Sequence, residues 1–262
     1  MEEVRVLRGL SYSSVNVMRS ALSVVIRPVN GLTFGEQPDT IQYMKGVFQI
    51  TPKVPRYSEV WDLNDVLEFL LALSPASKLS LQLLTLKTAT LLLIVTGQRV
   101  QTLKLLCLKT CVKSHSSFTF YVTDNVKQSR VGDPALVVKV KSYVPDRRLC
   151  IVHYLTEYIK RTRPLRQSSS LFVSYRRPHQ EVKKGTIAKW IKTILAKAGV
   201  NTAIFQAHSV RAASCSKAVQ NGVPLSSVLK QGGWRRESTF QAYYNKPVNK
   251  QEKSFQKVVL NS

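Results

Sequence analysis

His208 and Arg211 stand three residues apart in "AHSVRAAS" (207–214), a run that reads as the start of a helix. At that spacing two side chains share one face. The first turn of a helix also offers unpaired N–H groups to an anion. The pair therefore suits phosphate handling, although a helix-capping His beside a surface Arg fits the same spacing. Arg99 follows "VTGQ", just past the end of an apolar helix, where a partner for the helix dipole is the plain alternative. Lys127 lies in a basic turn between two strands, a place where a solvated charge is common. Trp234 follows two glycines, and Tyr243 and Tyr244 come nine and ten residues after it. Such tyrosines also serve as core aromatics. Each feature by itself is weak; the ordered set Arg, Lys in a β-turn, His-x-x-Arg, Gly-Trp, Tyr is more specific.

Composition narrows the class of partner. The chain has 262 residues with 39 Lys and Arg against 15 Asp and Glu, a net charge of +24, and 44% apolar residues. This much apolar content can build a core, so the chain is not a disordered basic tail. A folded domain carrying such a field is matched to a polyanion. The charge concentrates in residues 151–262, which hold 20 Lys and Arg against 4 Asp and Glu. A ribosomal-type RNA-binding protein or an anionic-membrane protein would share this balance.

The four cysteines (107, 111, 150 and 215) form no disulfide framework, and Cys107-x3-Cys111 lacks zinc spacing. They read as reduced thiols of an intracellular protein. No histidine pair has metal-ligand spacing, and His115, His153 and His179 read as structural or surface residues. Residues 1–9 alternate in charge and carry no signal-peptide core. The apolar run "LSLQLLTLKTATLLLIVTG" (79–97) contains Gln82, Lys87 and four threonines, which favours a buried helix over a membrane span.

Patterning supplies the elements that must hold these residues. "SYSSVNVMRSALSVVI" (11–26) puts Val15, Met18, Leu22 and Val25 or Ile26 on one helical face, and 40–50 predicts a second short helix. "TPKVPRYSE" (51–59), with its two prolines, is the best linker, so a small helical piece over 1–52 precedes a main domain over 57–262. There "DLNDVLEFLLALS" opens with Asp62 as a cap and Asp65 in the place of a capping-box acid. The long helix through 81–95 stops at Gly97. "SFTFYVT" (117–123) and "ALVVKVKSYV" (135–144) read as strands flanking the turn that holds Lys127, and "SLFVSY" (170–175) as another strand. Helices are expected over 149–162, 185–198, 208–221, 224–231 and 237–245.

The segments "TGQRVQTL" (96–103), "FVSYRRPH" (172–179), "AHSVRAAS" and "GWRRESTFQAYYNKPV" (233–248) resemble the tyrosine recombinase (phage integrase) family, which has type IB topoisomerases as relatives in chemistry. The nearer resemblance is to recombinases of DIRS-type retrotransposons of animals. It extends over about residues 10–258. The implied fold is α+β and mainly helical: a tyrosine-recombinase catalytic domain with a small antiparallel β-sheet, after a partial helical core-binding (SAM-like) domain. The implied activity is cleavage and rejoining of DNA strands through a 3′-phosphotyrosine, for integration of a mobile element. By motif position, Arg99 and Arg211 would clamp the phosphate, Lys127 would be the β-hairpin lysine and His208 the histidine of H-x-x-R. Trp234 would fill a position that is His in many members. The nucleophile would be Tyr244 by the DIRS-type pattern, with Tyr243 the alternative by the general family spacing.

Two guanidinium forks can hold both non-bridging oxygens of a phosphodiester, which lysines match less well in geometry. A tyrosine hydroxyl, with an ordinary pKa of about 10, gains nucleophilicity as phenolate in a cationic pocket. The covalent step preserves bond energy for rejoining. Lys127 could protonate the leaving 5′-oxygen, whereas Trp234 can pack and donate an N–H but cannot act as acid or base. The scheme calls for no metal, cofactor or small-molecule substrate.

The chain departs from the family in two places. Thr102 stands where many members have an acid, and the N-terminal piece is short for a core-binding domain. The resemblance implies double-stranded DNA as partner, no membrane, a nuclear location, and a homotetramer assembled on DNA through the basic tail 246–262, where Phe255, Val258 and Val259 share a face. An inactive DNA-binding relic of a mobile element and a topoisomerase-like strand-passage enzyme are the competing expectations.

Overall fold

The structure is a computed structural model that describes residues 1–51, 57–124, 132, 134–234 and 236–249. The chain divides into two compact units, Met1–Arg56 and Tyr57–Ser262. The first contains α1 (Glu2–Leu7), α2 (Tyr12–Val25) and α3 (Pro38–Ile50). Ser11 caps α2 by accepting the Ser14 N–H, and Pro38 begins α3, where its fixed φ suits the first helical position. Val15, Met44 and Val47 are its buried apolar residues. Of the face expected on α2, Val15 is buried while Val25 and Ile26 are exposed. The apolar stripe is longer than the partner surface so small a unit can offer.

The second unit runs β1 (Val60–Trp61), α4 (Leu63–Ala72), α5 (Leu81–Thr96), α6 (Val100–Leu105), β2 (Cys111–Lys113), β3 (Ser117–Val122), β4 (Leu136–Lys141), α7 (Ile151–Thr162), α8 (Lys184–Lys197), α9 (Ser209–Gln220), α10 (Leu225–Gly232), α11 (Glu237–Tyr243) and β5 (Val248–Asn249). It is mainly helical, with a three-stranded antiparallel sheet in the order β2-β3-β4. Asp62 caps α4 by accepting the Asn64 N–H at 2.8 Å.

Helix α5 is the axis of this unit and packs against α6, α7, α8 and α9. Its apolar run is broken by threonines whose hydroxyls donate to carbonyls one turn back: Thr85 to Leu81, Thr88 to Leu84, Thr90 to Leu86 and Thr96 to Leu92. That local bonding lets hydroxyls enter the core without orphaned donors. Lys87 is fully buried as well. Its ammonium donates to the Leu70 and Leu73 carbonyls at 2.6 and 2.8 Å, closing the end of α4, and lies 3.9 Å from the Tyr154 ring centroid. Among the described residues no helix is long and apolar enough to cross a membrane.

Lys87 gives a pH prediction. Burial pulls its ammonium down to about 7, with Asp146 opposing the shift. An unfolded lysine titrates near 10.4, so between about pH 7 and 10 the unfolded chain holds a proton that the folded chain has released. Stability conferred by this site therefore rises with pH, by at most about 1.4 kcal/mol per pH unit. Denaturant melts at pH 7, 8 and 9 should show a wild-type slope that exceeds that of Lys87→Met. Parallel curves would contradict this assignment.

In the sheet, Phe118 faces Val140 and Phe120 faces Val138 in register, with all four side chains buried. The alternation expected at 117–123 and 135–144 is thus realised, while β2 was too short to stand out. The turn carrying Lys127 lies outside the described residues. The strand expected at 170–175 is not formed: Leu171, Phe172 and Val173 are buried, but the segment makes only isolated bridges, Ser170 to Cys107 and Val173 to Glu181. Its amides go instead to the Leu106 carbonyl (from Leu171) and the Tyr158 hydroxyl (from Val173). A continuous apolar run reports burial, which a ladder is not needed to achieve.

Candidate active site

The site is built where four helix ends meet, those of α5, α6, α9 and α10. Helix α5 ends at Gly97, whose φ of +59° is left-handed, and the chain restarts as α6 with Arg99 at its N-cap. A Cβ at Gly97 would also press the Cys215 Sγ at 3.1 Å. Arg211 is the third residue of α9, and His208 stands at that helix's N-cap position. The His208 ring makes no capping hydrogen bond and lies tilted against Tyr57, 6.3 Å between centroids.

Arg211 is only 2% exposed. Its Nη1 donates to the Gly97 carbonyl at 2.6 Å and its Nη2 to the Gly232 carbonyl at 2.7 Å. The guanidinium joins the turn after α5 to the end of α10. Trp234 stacks on it, 3.6 Å from ring centroid to Cζ. Arg211 Nε is buried with no partner, a donor whose burial is costly until an acceptor reaches it. Burial, and then the neighbouring charge of Arg99, lowers Arg211 to about 10, which keeps it cationic at neutral pH.

Trp234 is locked from several sides. It packs edge-on against Phe240 and Tyr244, with centroids at 5.0 and 4.8 Å. A Cβ on Gly232 would lie 1.9 Å from the indole, so the first glycine of "GGW" is the space the ring occupies. Gly233 supplies the left-handed turn, φ +70°. The indole Nε1 is buried without a partner.

Tyr244 follows α11 and is half-buried. Its carbonyl accepts from the buried Ser216 hydroxyl of α9 at 2.6 Å, and the Lys246 amide donates to Ser216 Oγ at 3.1 Å. Two residues beyond Lys246, β5 pairs in parallel with β1 (Val248 opposite Val60). Tyr244 is thereby held from both sides against the helix that bears Arg211.

The result is a cleft of about 420 Å³ lined by Arg99, His208, Arg211 and Tyr244. Trp234 lies beneath Arg211 and is absent from the lining. Tyr243 is 49% exposed and also absent from it. Lys127 lies outside the described residues. Sequence reading missed Lys184, Lys189 and Lys192 of α8, which line the same cleft with Gln98 and Gln206. Lys189 and Lys192 are three apart and neighbours on the helix surface, but Lys184, five residues before Lys189, is not, so the sequence spacing did not mark the three as a set. Such a cleft presents hydrogen-bond donors and positive charge to an anion.

The family model described as Phage integrase family matches residues 63–250, and the chain belongs to that family. Solved structures share its fold. The XerH site-specific recombinase bound to its difH substrate is similar with a TM-score of 0.61 at 16% identity, over 92% of this chain and 65% of that one. A λ integrase dimer bound to a COC′ core site gives 0.56 at 17% identity, over 93% and 62%. The Tn1549 transposon integrase in complex with circular intermediate DNA gives 0.55 at 14% identity, over 98% and 80%. The chain thus spans slightly less than two thirds of the XerH and λ integrase chains. No curated protein sequence matches it.

Proposed function

We propose that this chain is a tyrosine-type DNA recombinase that cleaves and rejoins strands through a 3′-phosphotyrosine formed on Tyr244. The observation that carries this reading is the convergence of Arg99, His208, Arg211 and Tyr244 on one cationic cleft. In the forward step the Tyr244 oxygen attacks phosphorus, its proton passes to solvent or to His208, and the bond to the 5′-oxygen breaks. The leaving oxygen takes a proton and departs as a 5′-hydroxyl. Arg99 and Arg211 hold the non-bridging oxygens as charge builds on them. His208 assists proton transfer or bonds the phosphate, and Lys127 is the proton donor to the leaving group. Trp234 supports Arg211 from behind. Attack by the 5′-hydroxyl of another strand reverses these steps and releases Tyr244.

The proposal extends to integration of a mobile element in the nucleus, of DIRS type by motif resemblance; the Tn1549 likeness in fold accords with a transposon context. The unit Met1–Arg56 serves as a partial core-binding domain on double-stranded DNA. The tail 246–262 joins subunits into a tetramer on DNA. An apolar groove of about 270 Å³ beside α9 and α10, lined by Ile94, Val95, Val223 and Val228 among others, offers a seat for such a segment.

Covalent trapping tests the reading. The protein is incubated with nicked duplex fragments, denatured, and assayed for protein-linked DNA. An adduct supports recombinase chemistry; salt-sensitive binding with no adduct would identify a DNA-binding relic. Binding itself has a predicted signature. Changing Lys184, Lys189 and Lys192 together to Gln should reduce the slope of log affinity against log salt by about 2 to 3, since each phosphate left without its lysine removes about 0.9 from that slope. An unchanged slope in a salt titration would remove these lysines from the DNA surface.

A further inference from the structure

Arg211 is not the only link between the turn after α5 and the end of α10. Gln98 Nε2 donates to the Gln231 carbonyl at 2.7 Å. Gln231 Nε2 donates back to the Thr96 carbonyl at 3.3 Å. The Thr102 hydroxyl of α6 donates to Gln98 Oε1 at 3.4 Å. Gln98 is 4% exposed and Thr102 is 2% exposed, so water cannot readily replace a hydrogen bond broken there. The two glutamines, 133 residues apart, cross over one another: each side chain bonds the backbone of the other's segment.

The neighbours of this clasp are the site itself. Arg99 directly follows Gln98. Gly232, whose carbonyl receives Arg211, directly follows Gln231. Trp234 and Tyr244 lie further along that same segment. Gln98 has both ends of its amide occupied, the oxygen by Thr102 and the nitrogen by Gln231, which sets its orientation. A shift at Gln98 is therefore transmitted to the arginine turn on one side and to the Trp234–Tyr244 segment on the other.

We propose that Gln98, supported by Thr102 and Gln231, is a positioning residue that holds the nucleophile-bearing segment in register with the arginine turn. The proposal rests on the recombinase reading above. It assigns Gln98 no contact with the reacting atoms. All three side chains are uncharged, so the clasp holds at any pH at which the fold survives.

The test pairs hydrogen exchange with single-turnover cleavage. Gln98→Met keeps the side-chain length and removes both bonds. The Trp234 and Tyr244 amides, bonded to the Leu229 and Phe240 carbonyls, should exchange about tenfold faster, while α5 and α7 amides stay protected. Cleavage of bound DNA should slow by about 10- to 100-fold, the scale of a misplacement near 1 Å, beyond any loss of DNA affinity. Gln98→Glu keeps the Thr102 bond but sets a carboxylate against the Gln231 carbonyl, and should be impaired likewise. Thr102→Val, milder, should shift both readouts a few-fold in the same direction and serves if the Gln98 variants fail to fold. Unchanged exchange at Trp234 and Tyr244 would overturn the proposal. So would a loss of DNA affinity that accounts for the whole loss of cleavage, since Gln98 would then be a DNA ligand. Should the wild type itself form no adduct, the recombinase reading fails, and the exchange measurement still decides the clasp.

Discussion

Tyr244→Phe is expected to remove the protein–DNA adduct completely, a fall of at least about 10³-fold, while Tyr243→Phe retains it. Sequence spacing allows either tyrosine. The structure separates them: Tyr244 lines the cleft with both arginines, and its ring lies 5.3 Å from the Arg211 Cζ, whereas Tyr243 is turned outward. Phenylalanine keeps the edge-on contact with Trp234, so Tyr244→Phe should fold normally and lose only the hydroxyl proposed to attack. The decisive measurement is trapping with both variants on one nicked substrate, followed by peptide mapping of the adduct. An adduct that persists in Tyr244→Phe and vanishes in Tyr243→Phe would reverse the assignment.

Arg211→Lys should lower single-turnover cleavage by about 10³-fold, the upper range for losing one preorganised donor group. It should also destabilise the fold, which is unusual for a change that preserves charge. Arg211 bridges two carbonyls from segments far apart in the chain and presents a flat face to Trp234. An ammonium cannot span both carbonyls and stack at once. One or both carbonyls are then left buried without a donor, at about 1–3 kcal/mol each. A loss near 3 kcal/mol corresponds to a fall in Tm of about 6–12 °C for a unit of this size. Cleavage and thermal melting measured on one preparation check both halves. Full cleavage by the lysine variant would remove Arg211 from the phosphate clamp.

Much of the fold was legible because its signals are local. Gly97 and Asp62 punctuate helices through their own conformational preferences. Phe118, Phe120, Val138 and Val140 alternate with the period of a pleated strand. The failures mark where local signals stop. "SLFVSY" carries strand propensity, but its amides are taken by the Leu106 carbonyl and the Tyr158 hydroxyl. The α2 stripe predicts a buried face that the first unit lacks the mass to cover.

The site divides the same way. Residue types and their order along the chain determined the family and the inventory of Arg99, His208, Arg211, Trp234 and the tyrosine pair, because motif spacing is a property of the chain alone. Only the tertiary structure decided which tyrosine enters the cleft, that Trp234 lies under Arg211 instead of lining the cleft, that α8 contributes three lysines, and that Gln98 and Gln231 clasp. Each of these depends on contacts between segments distant in sequence, as in the 114 residues between Arg211 and Gly97. Such contacts are set by how helix ends pack around α5, and no periodicity within a single element records them.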